Sequence, residues 1–192
     1  MRRDHPDYHA APVPPFGDPE ARLLVVGLAP GMHGANRSGR PFTGDHAGIL
    51  LYQTLHDLGL ASAPVSAHPG DGLELRGARV TNAVKCLPPA NKPETAEVDR
   101  CNGFLAAELG ALAPGSVVLA LGQVAHRAVL KAEGLRLSAS PFAHGAVHPL
   151  GRGLRLVDSY HCSRYNTQTR RLTPEMFRAV CAEALGLVPR AP

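Results

Sequence analysis

The sequence lacks any apolar stretch approaching the roughly 20 residues needed to cross a bilayer, so a membrane span is excluded. It also lacks a secretory start: Met1 is followed by Arg2, Arg3, Asp4, His5 and Pro6 with no apolar core behind them, which points to the cytoplasm. Cysteine is scarce. Four in that compartment read as thiols or metal ligands rather than disulfides. Lysine is scarcer still, at Lys85, Lys92 and Lys131 alone, so nearly all the positive charge is arginine, a bias that a GC-rich genome also produces. Internal repeats and linkers are absent. What is present is a 192-residue chain with 44% hydrophobic and 19% charged residues, enough for one compact domain that buries roughly 70% of its unfolded surface. A formal charge of +4 and a pI near 9.1 suit an anionic partner.

Residues 1–20 contain Pro6, Pro12, Pro14, Pro15 and Pro19, so this segment reads as an extended arm ahead of a single domain over residues 21–192. Residues 22–27 form a continuous apolar run ending in Gly27, the pattern of a buried parallel strand. Further strands are expected at 78–84, 116–121 and 154–158. Helices are expected at 48–58, where Gly59 is the stop, at 94–112 behind Pro93, and at 122–131 with Gly134 beyond. Thr173, Pro174 and Glu175 give a cap and first turn for a last helix reaching about Leu187. Strands alternating with helices predict a three-layer α/β sandwich around a central, mainly parallel four-stranded sheet.

Ligands of such sheets sit at the carboxyl ends of the strands, so the loops there carry the chemistry. The first, residues 27–48, holds six glycines in 22 residues and places Asp45 just before a helix. It has neither the Gly-Lys-Ser/Thr ending of a P-loop nor the compact spacing of a dinucleotide fingerprint. The second, residues 81–93, includes Asn82, Lys85, Cys86 and Asn91. The third runs Ser159-Tyr160-His161-Cys162-Ser163-Arg164-Tyr165-Asn166-Thr167-Gln168-Thr169-Arg170-Arg171.

Gly27-Leu28-Ala29-Pro30-Gly31, then Gly39 to Asp45 (Gly-Arg-Pro-Phe-Thr-Gly-Asp), and the Ser-Tyr-His-x-Ser-Arg-x-Asn-Thr-Gln-Thr of the third loop resemble the uracil-DNA glycosylase superfamily, most closely family 5, the type b enzymes. The resemblance spans roughly residues 12–187. It implies a monofunctional enzyme that flips uracil out of single- or double-stranded DNA and hydrolyses the glycosidic bond, with activity on other deaminated bases such as hypoxanthine left open; a uracil-restricted family 4-like enzyme and a non-catalytic damaged-DNA-binding module on the same fold are the alternatives. It assigns catalysis to Asp45, Asn91 and His161. Asp45 positions water and offsets sugar charge, Asn91 lies near the water, and His161 donates to O2 of the leaving base. At Leu28, related families carry a polar residue; leucine cannot activate water, so the burden shifts to Asp45 with help from Asn91. Asp45 also suits an ordinary helix N-cap.

The base pocket implied by the resemblance comprises Gly27, Ala29, Gly31, Phe42 and Asn82, with Phe42 as the stacking platform. Asn82 departs from the alanine common in type b enzymes and resembles family 4; its amide can pair with both O4 and N3–H of uracil. Ser163, Arg164, Tyr165, Asn166, Thr167, Arg170 and Arg171 fit a loop that enters the minor groove and meets phosphates, with Tyr165 a wedge. None of the lysines occupies a position suited to a Schiff base. In the family, cysteines at the places of Cys86 and Cys101 supply half the ligands of a [4Fe–4S] cluster, the rest coming from an N-terminal Cys-x-x-Cys pair that this sequence lacks. Three explanations stand open: a start assigned too late, which is the favoured one, loss of the cluster, or substitution by His5 or His9. A monomer acting on damaged DNA, with no membrane partner, is the expected state.

Overall fold

The computed structural model describes residues 5–91 and 93–189, with the side chain of Asn91 outside the described set. Its sheet has the order β1-β3-β2-β4-β6-β5. The central strands are β2 (Leu23–Gly27), β3 (Ala78–Asn82), β4 (Val117–Leu121) and β6 (Arg155–Ser159), all parallel. These are the four strands expected from the sequence. Two short antiparallel edges correct the strand count: β1 (Phe16–Gly17) on β3 and β5 (Val147–Pro149) on β6. Two or three residues are too few to establish a period-2 pattern, and Pro149 is tolerated because an edge strand has one unpaired side.

Alternation along the central strands divides the interior into two layers. Leu23, Val25, Val80, Val117, Leu119 and Val157 face α2 (His46–Asp57) and α6 (Pro174–Gly186), meeting Leu51, Tyr52, Leu55, Phe177 and Val180. Leu24, Val26, Val118, Ala120 and Leu156 face α3 (Thr95–Gly110) and α4 (Gln123–Ala132), meeting Leu105, Leu109, Ala125 and Val129. Both faces of each central strand are thus covered, which is why β2 and β4 read as unbroken apolar runs. Thr173 caps α6 by accepting the Met176 N–H, with Pro174 in the first turn. Two shorter helices, α1 (Ala35–Ser38) and α5 (Arg164–Gln168), lie within the loops after β2 and β6.

Within residues 5–15, Val13 is buried and its N–H donates to the Lys85 carbonyl, while the amides of His9 and Ala10 donate to the carbonyls of Arg37 and Asn36. The helices following β2 and β4 lie on opposite faces of the sheet, so the loops leaving these neighbours diverge and open a crevice at their carboxyl ends.

Candidate active site

A cavity of about 210 Å³ lies at the carboxyl ends of β2, β3 and β6, lined by Leu28, Ala29, Gly31, Phe42, Asp45, His46, Ala47, Asn82, His161, Ser163 and Arg164. Glycine is required where the loop folds back on itself. A Cβ on Gly34 or Gly31 would overlap the Asp45 carboxylate, and one on Gly27 would overlap the Phe42 ring and Asn82. Asp45 occupies the N-cap position of α2, but its side chain does not cap that helix. Its Oδ2 instead accepts the Ala35 N–H at 3.1 Å, correcting the simple capping expectation. Burial raises the Asp45 carboxyl above its ordinary value, and the Ala35 bond opposes that rise.

Phe42 is 5% exposed and has φ +58°, a left-handed conformation that a bulky residue adopts only when its surroundings enforce it. The enforcing contacts flank it. Arg40 donates to Ser66 Oγ at 3.0 Å, Asp71 Oδ1 at 2.8 Å and the Pro69 carbonyl at 2.6 Å, and its guanidinium stacks on Phe16. Tyr52 OH donates to the Pro41 carbonyl, and the hydroxyls of Thr43 and Ser66 are 2.7 Å apart. Burial alone would raise the Asp71 carboxyl, but the Arg40 bond and the amides of Leu73, His68 and Ala67 hold it well below the usual range. The clamp fixes the Phe42 ring 6.1 Å from the His161 ring, at an interplanar angle of 27°.

Asn82 ends β3 at 3% exposure, and its Oδ1 is buried without a hydrogen-bond partner among the described residues. His161 follows β6. Its Nδ1 is likewise buried and unpartnered, and burial lowers the imidazole to about 4, so the ring is neutral at physiological pH. Its main chain is pinned by Asn166 Nδ2, which donates to the His161 carbonyl at 2.8 Å. The carboxylate, amide and imidazole therefore converge from the loop after β2, the end of β3 and the loop after β6 beside one aromatic face.

The Uracil DNA glycosylase superfamily profile matches residues 14–185. A Type-5 uracil-DNA glycosylase of Thermus thermophilus is 56% identical over 180 residues, covering 94% of this chain and 82% of that one. This chain belongs to the type-5 family of uracil-DNA glycosylases. The Type-5 uracil-DNA glycosylase of Pyrobaculum aerophilum is 48% identical over 177 residues, 92% of this chain and 76% of that one. The crystal structure of wild-type Pedobacter heparinus SMUG2 shares the fold, with a TM-score of 0.52 at 12% identity over 87% of this chain and 76% of that chain.

Of the residues expected in the base pocket, Ala29, Gly31, Phe42 and Asn82 line the cavity, and Gly27 lies directly beneath Phe42 and Asn82. Asn91 closes a single 3-10 turn, Pro89–Asn91; its expected place near the water falls outside the described residues, as does Lys92. In the third loop, Ser163 caps α5 by accepting the Asn166 N–H, and Thr167 Oγ1 lies 3.3 Å from His46 Nε2. Arg164 and Tyr165 are exposed, the latter at 69%. Arg170 turns the chain at φ +58°, and the Arg171 guanidinium covers Tyr160 at 4.7 Å. Arg171 also lines a larger groove of about 670 Å³, which runs from His161 past Gly122, Gln123 and Phe142. His46 was missed from sequence, although its place next to Asp45 at the start of α2 is the signal that would have found it.

Cys86 is exposed and Cys101 half-buried; burial and the neighbouring Cys101 and Glu97 raise the Cys86 thiol. Among the described residues, no third histidine, cysteine or carboxylate joins them in a metal-sized group. Cys162 and Cys181 are buried on the α6 side, with the Cys162 thiol pushed up to about 12 by burial. His9 Nε2 pairs with the Pro12 carbonyl, and the His5 ring stacks on Tyr8. Among the described residues, the cysteines do not come together as a four-thiolate set.

Proposed function

We propose that this protein is a monofunctional uracil-DNA glycosylase that takes a flipped uracil into the 210 Å³ cavity and hydrolyses its N-glycosidic bond, leaving an abasic site. The observation that carries the reading is the convergence of Asp45, Asn82 and His161 around the cavity that Phe42 lines. Phe42 stacks on the base. Asn82 Oδ1, buried without a partner, accepts the N3–H of uracil while Nδ2 donates to O4. A cytosine edge reverses both polarities, so it leaves buried groups unpaired and is rejected.

As the C1′–N1 bond breaks, its electron pair leaves on the base and negative charge grows at O2. The neutral His161 ring donates through Nε2, the nitrogen left to work because Nδ1 is enclosed. Asp45 faces the cation-like sugar and orients the water that adds to C1′, its carboxylate taking the proton that the water loses as the new C–O bond forms. Lysine chemistry is unnecessary: the described lysines lie outside the cavity lining, and Lys85 is held by Thr81 Oγ1 and Glu108. Arg164, Tyr165, Arg170 and Arg171 meet the DNA, the arginines at phosphates.

Labelled uracil-containing DNA, incubated with enzyme and then alkali, tests this reading. Wild type yields abasic sites, and Asp45→Ala and His161→Ala each lose about 100- to 1000-fold in rate. Failure of the wild-type protein to release uracil would overturn the activity; full rates in both variants would overturn the site. Asn82→Ala reduces uracil excision more than hypoxanthine excision, and equal losses refute the edge-reading role.

A further inference from the structure

Away from the cavity, a second chemically distinctive cluster joins three elements at the β5 edge. His126 comes from α4, His148 from β5 and Asp158 from β6. His126 Nδ1 lies 2.8 Å from Asp158 Oδ1, and His148 Nε2 lies 3.2 Å from Asp158 Oδ2. The three donor atoms fall within 4.8 Å of one another. His126 is 2% exposed and Asp158 fully buried, so two of the three side chains lie in the interior.

The hydrogen count identifies which atoms are available. His126 Nε2 lies 2.9 Å from the Ser140 carbonyl, which only accepts, so this nitrogen carries its hydrogen. That leaves Nδ1, 2.8 Å from Asp158 Oδ1, as the ring nitrogen that faces the carboxylate. Metal-bound imidazoles characteristically donate their second N–H to a carbonyl or carboxylate, and the Ser140 carbonyl already occupies that place.

We infer that His126 Nδ1, His148 Nε2 and an Asp158 oxygen form a binding site for a zinc-class divalent cation, with solvent as the fourth ligand. Two imidazoles and one carboxylate favour Zn²⁺, Co²⁺ or Ni²⁺ over the oxygen-seeking Mg²⁺ and Ca²⁺. Tetrahedral zinc with bonds of about 2.0–2.1 Å places its donors about 3.3 Å apart, so the 2.8 Å contact between His126 Nδ1 and Asp158 Oδ1 opens while donors standing wider, up to 4.8 Å from one another, draw together on the ion. His148, whose side chain is 12% exposed, gives the entry side. Bound metal ties α4, β5 and β6 together. It also stiffens the wall of the groove beside His161, because the Phe142 ring packs on His126 at 5.6 Å and lines that groove. The site does not depend on the glycosylase reading, and its test uses no activity measurement.

Chelator-treated protein titrated with Co²⁺ takes up one equivalent and develops visible d–d absorption without a thiolate charge-transfer band. Zn²⁺ then displaces the Co²⁺. Zn²⁺ at about a hundred times its dissociation constant raises the melting temperature by about 5–10 °C. His148→Gln, which changes a partly exposed edge residue, abolishes both effects, whereas the double variant Cys86→Ser and Cys101→Ser retains them. Absence of a Co²⁺ spectrum and of a melting shift in the wild-type protein overturns the inference. So does a thiolate band, or wild-type binding by His148→Gln. The wild-type titration decides the matter even if a variant fails to fold.

Discussion

Replacing His161 with asparagine is expected to weaken catalysis while making the fold more resistant to acid. In the folded protein the buried imidazole stays neutral down to about 4, whereas the unfolded chain protonates it near the ordinary value of 6.5. Between those values the unfolded state binds a proton that the folded state refuses, so stability falls as pH drops through that window. Above 6.5 neither state is protonated at this position, and below about 4 both are, so the effect is confined between them. Each pH unit in the window costs at most about 1.4 kcal/mol, so the whole window sets a ceiling of about 3.5 kcal/mol, and the loss falls below it because the ring also borders an open cavity. Asparagine does not titrate and lacks this loss. Urea unfolding followed by circular dichroism from about pH 7 to about pH 4 checks the difference between the two proteins, which cancels the carboxylates they share. The wild type should lose the extra stability progressively below about pH 6.5. Parallel pH curves, or a steeper loss in the variant, would refute a buried neutral histidine.

Four further outcomes follow from the same geometry. Asn82→Ala removes a buried carbonyl that has no partner, so its melting temperature stays within about 2 °C of wild type or rises, even as uracil excision falls; a loss of many degrees would mean Asn82 is structural. Gly34→Ala pushes a methyl into the Asp45 carboxylate and lowers turnover about 100-fold, measured under single-turnover conditions. Asp71→Asn leaves the Arg40 guanidinium buried with its charge uncompensated, costing about 3–5 kcal/mol by urea unfolding. Replacing Arg170 and Arg171 together with alanine reduces the salt dependence of DNA binding by about one phosphate contact per arginine, read from log affinity against log salt.

The legible parts of this fold were those whose environment is uniform along the chain. Residues 23–27 and 117–121 are apolar at every position because helices cover both faces of the sheet, and such runs announce themselves without tertiary information. Edge strands β1 and β5 carry too few residues for a pattern to emerge. Asp45 shows a different limit. Its position before a helix implied a cap, but the donor it engages, Ala35, belongs to the other end of a folded-back loop. Likewise the Arg40 clamp joins residues 31 apart, and the cluster of His126, His148 and Asp158 joins three elements whose sequence spacing resembles no metal motif. The motifs marked which loops mattered; the close approaches that make room for Asp45 and Phe42 became visible only when those loops were folded.

Asn82 is the final residue of a core strand, whereas Asp45 and Phe42 belong to a glycine-rich loop and His161 follows a different strand. On the proposed roles, base identity and bond cleavage fall to separate stretches of chain. A change at the tip of β3 can redraw the range of lesions accepted while the parts that cleave the bond stay in register. That separation offers a lineage, or an engineer, a route to new substrates through a single position, without first rebuilding the chemistry.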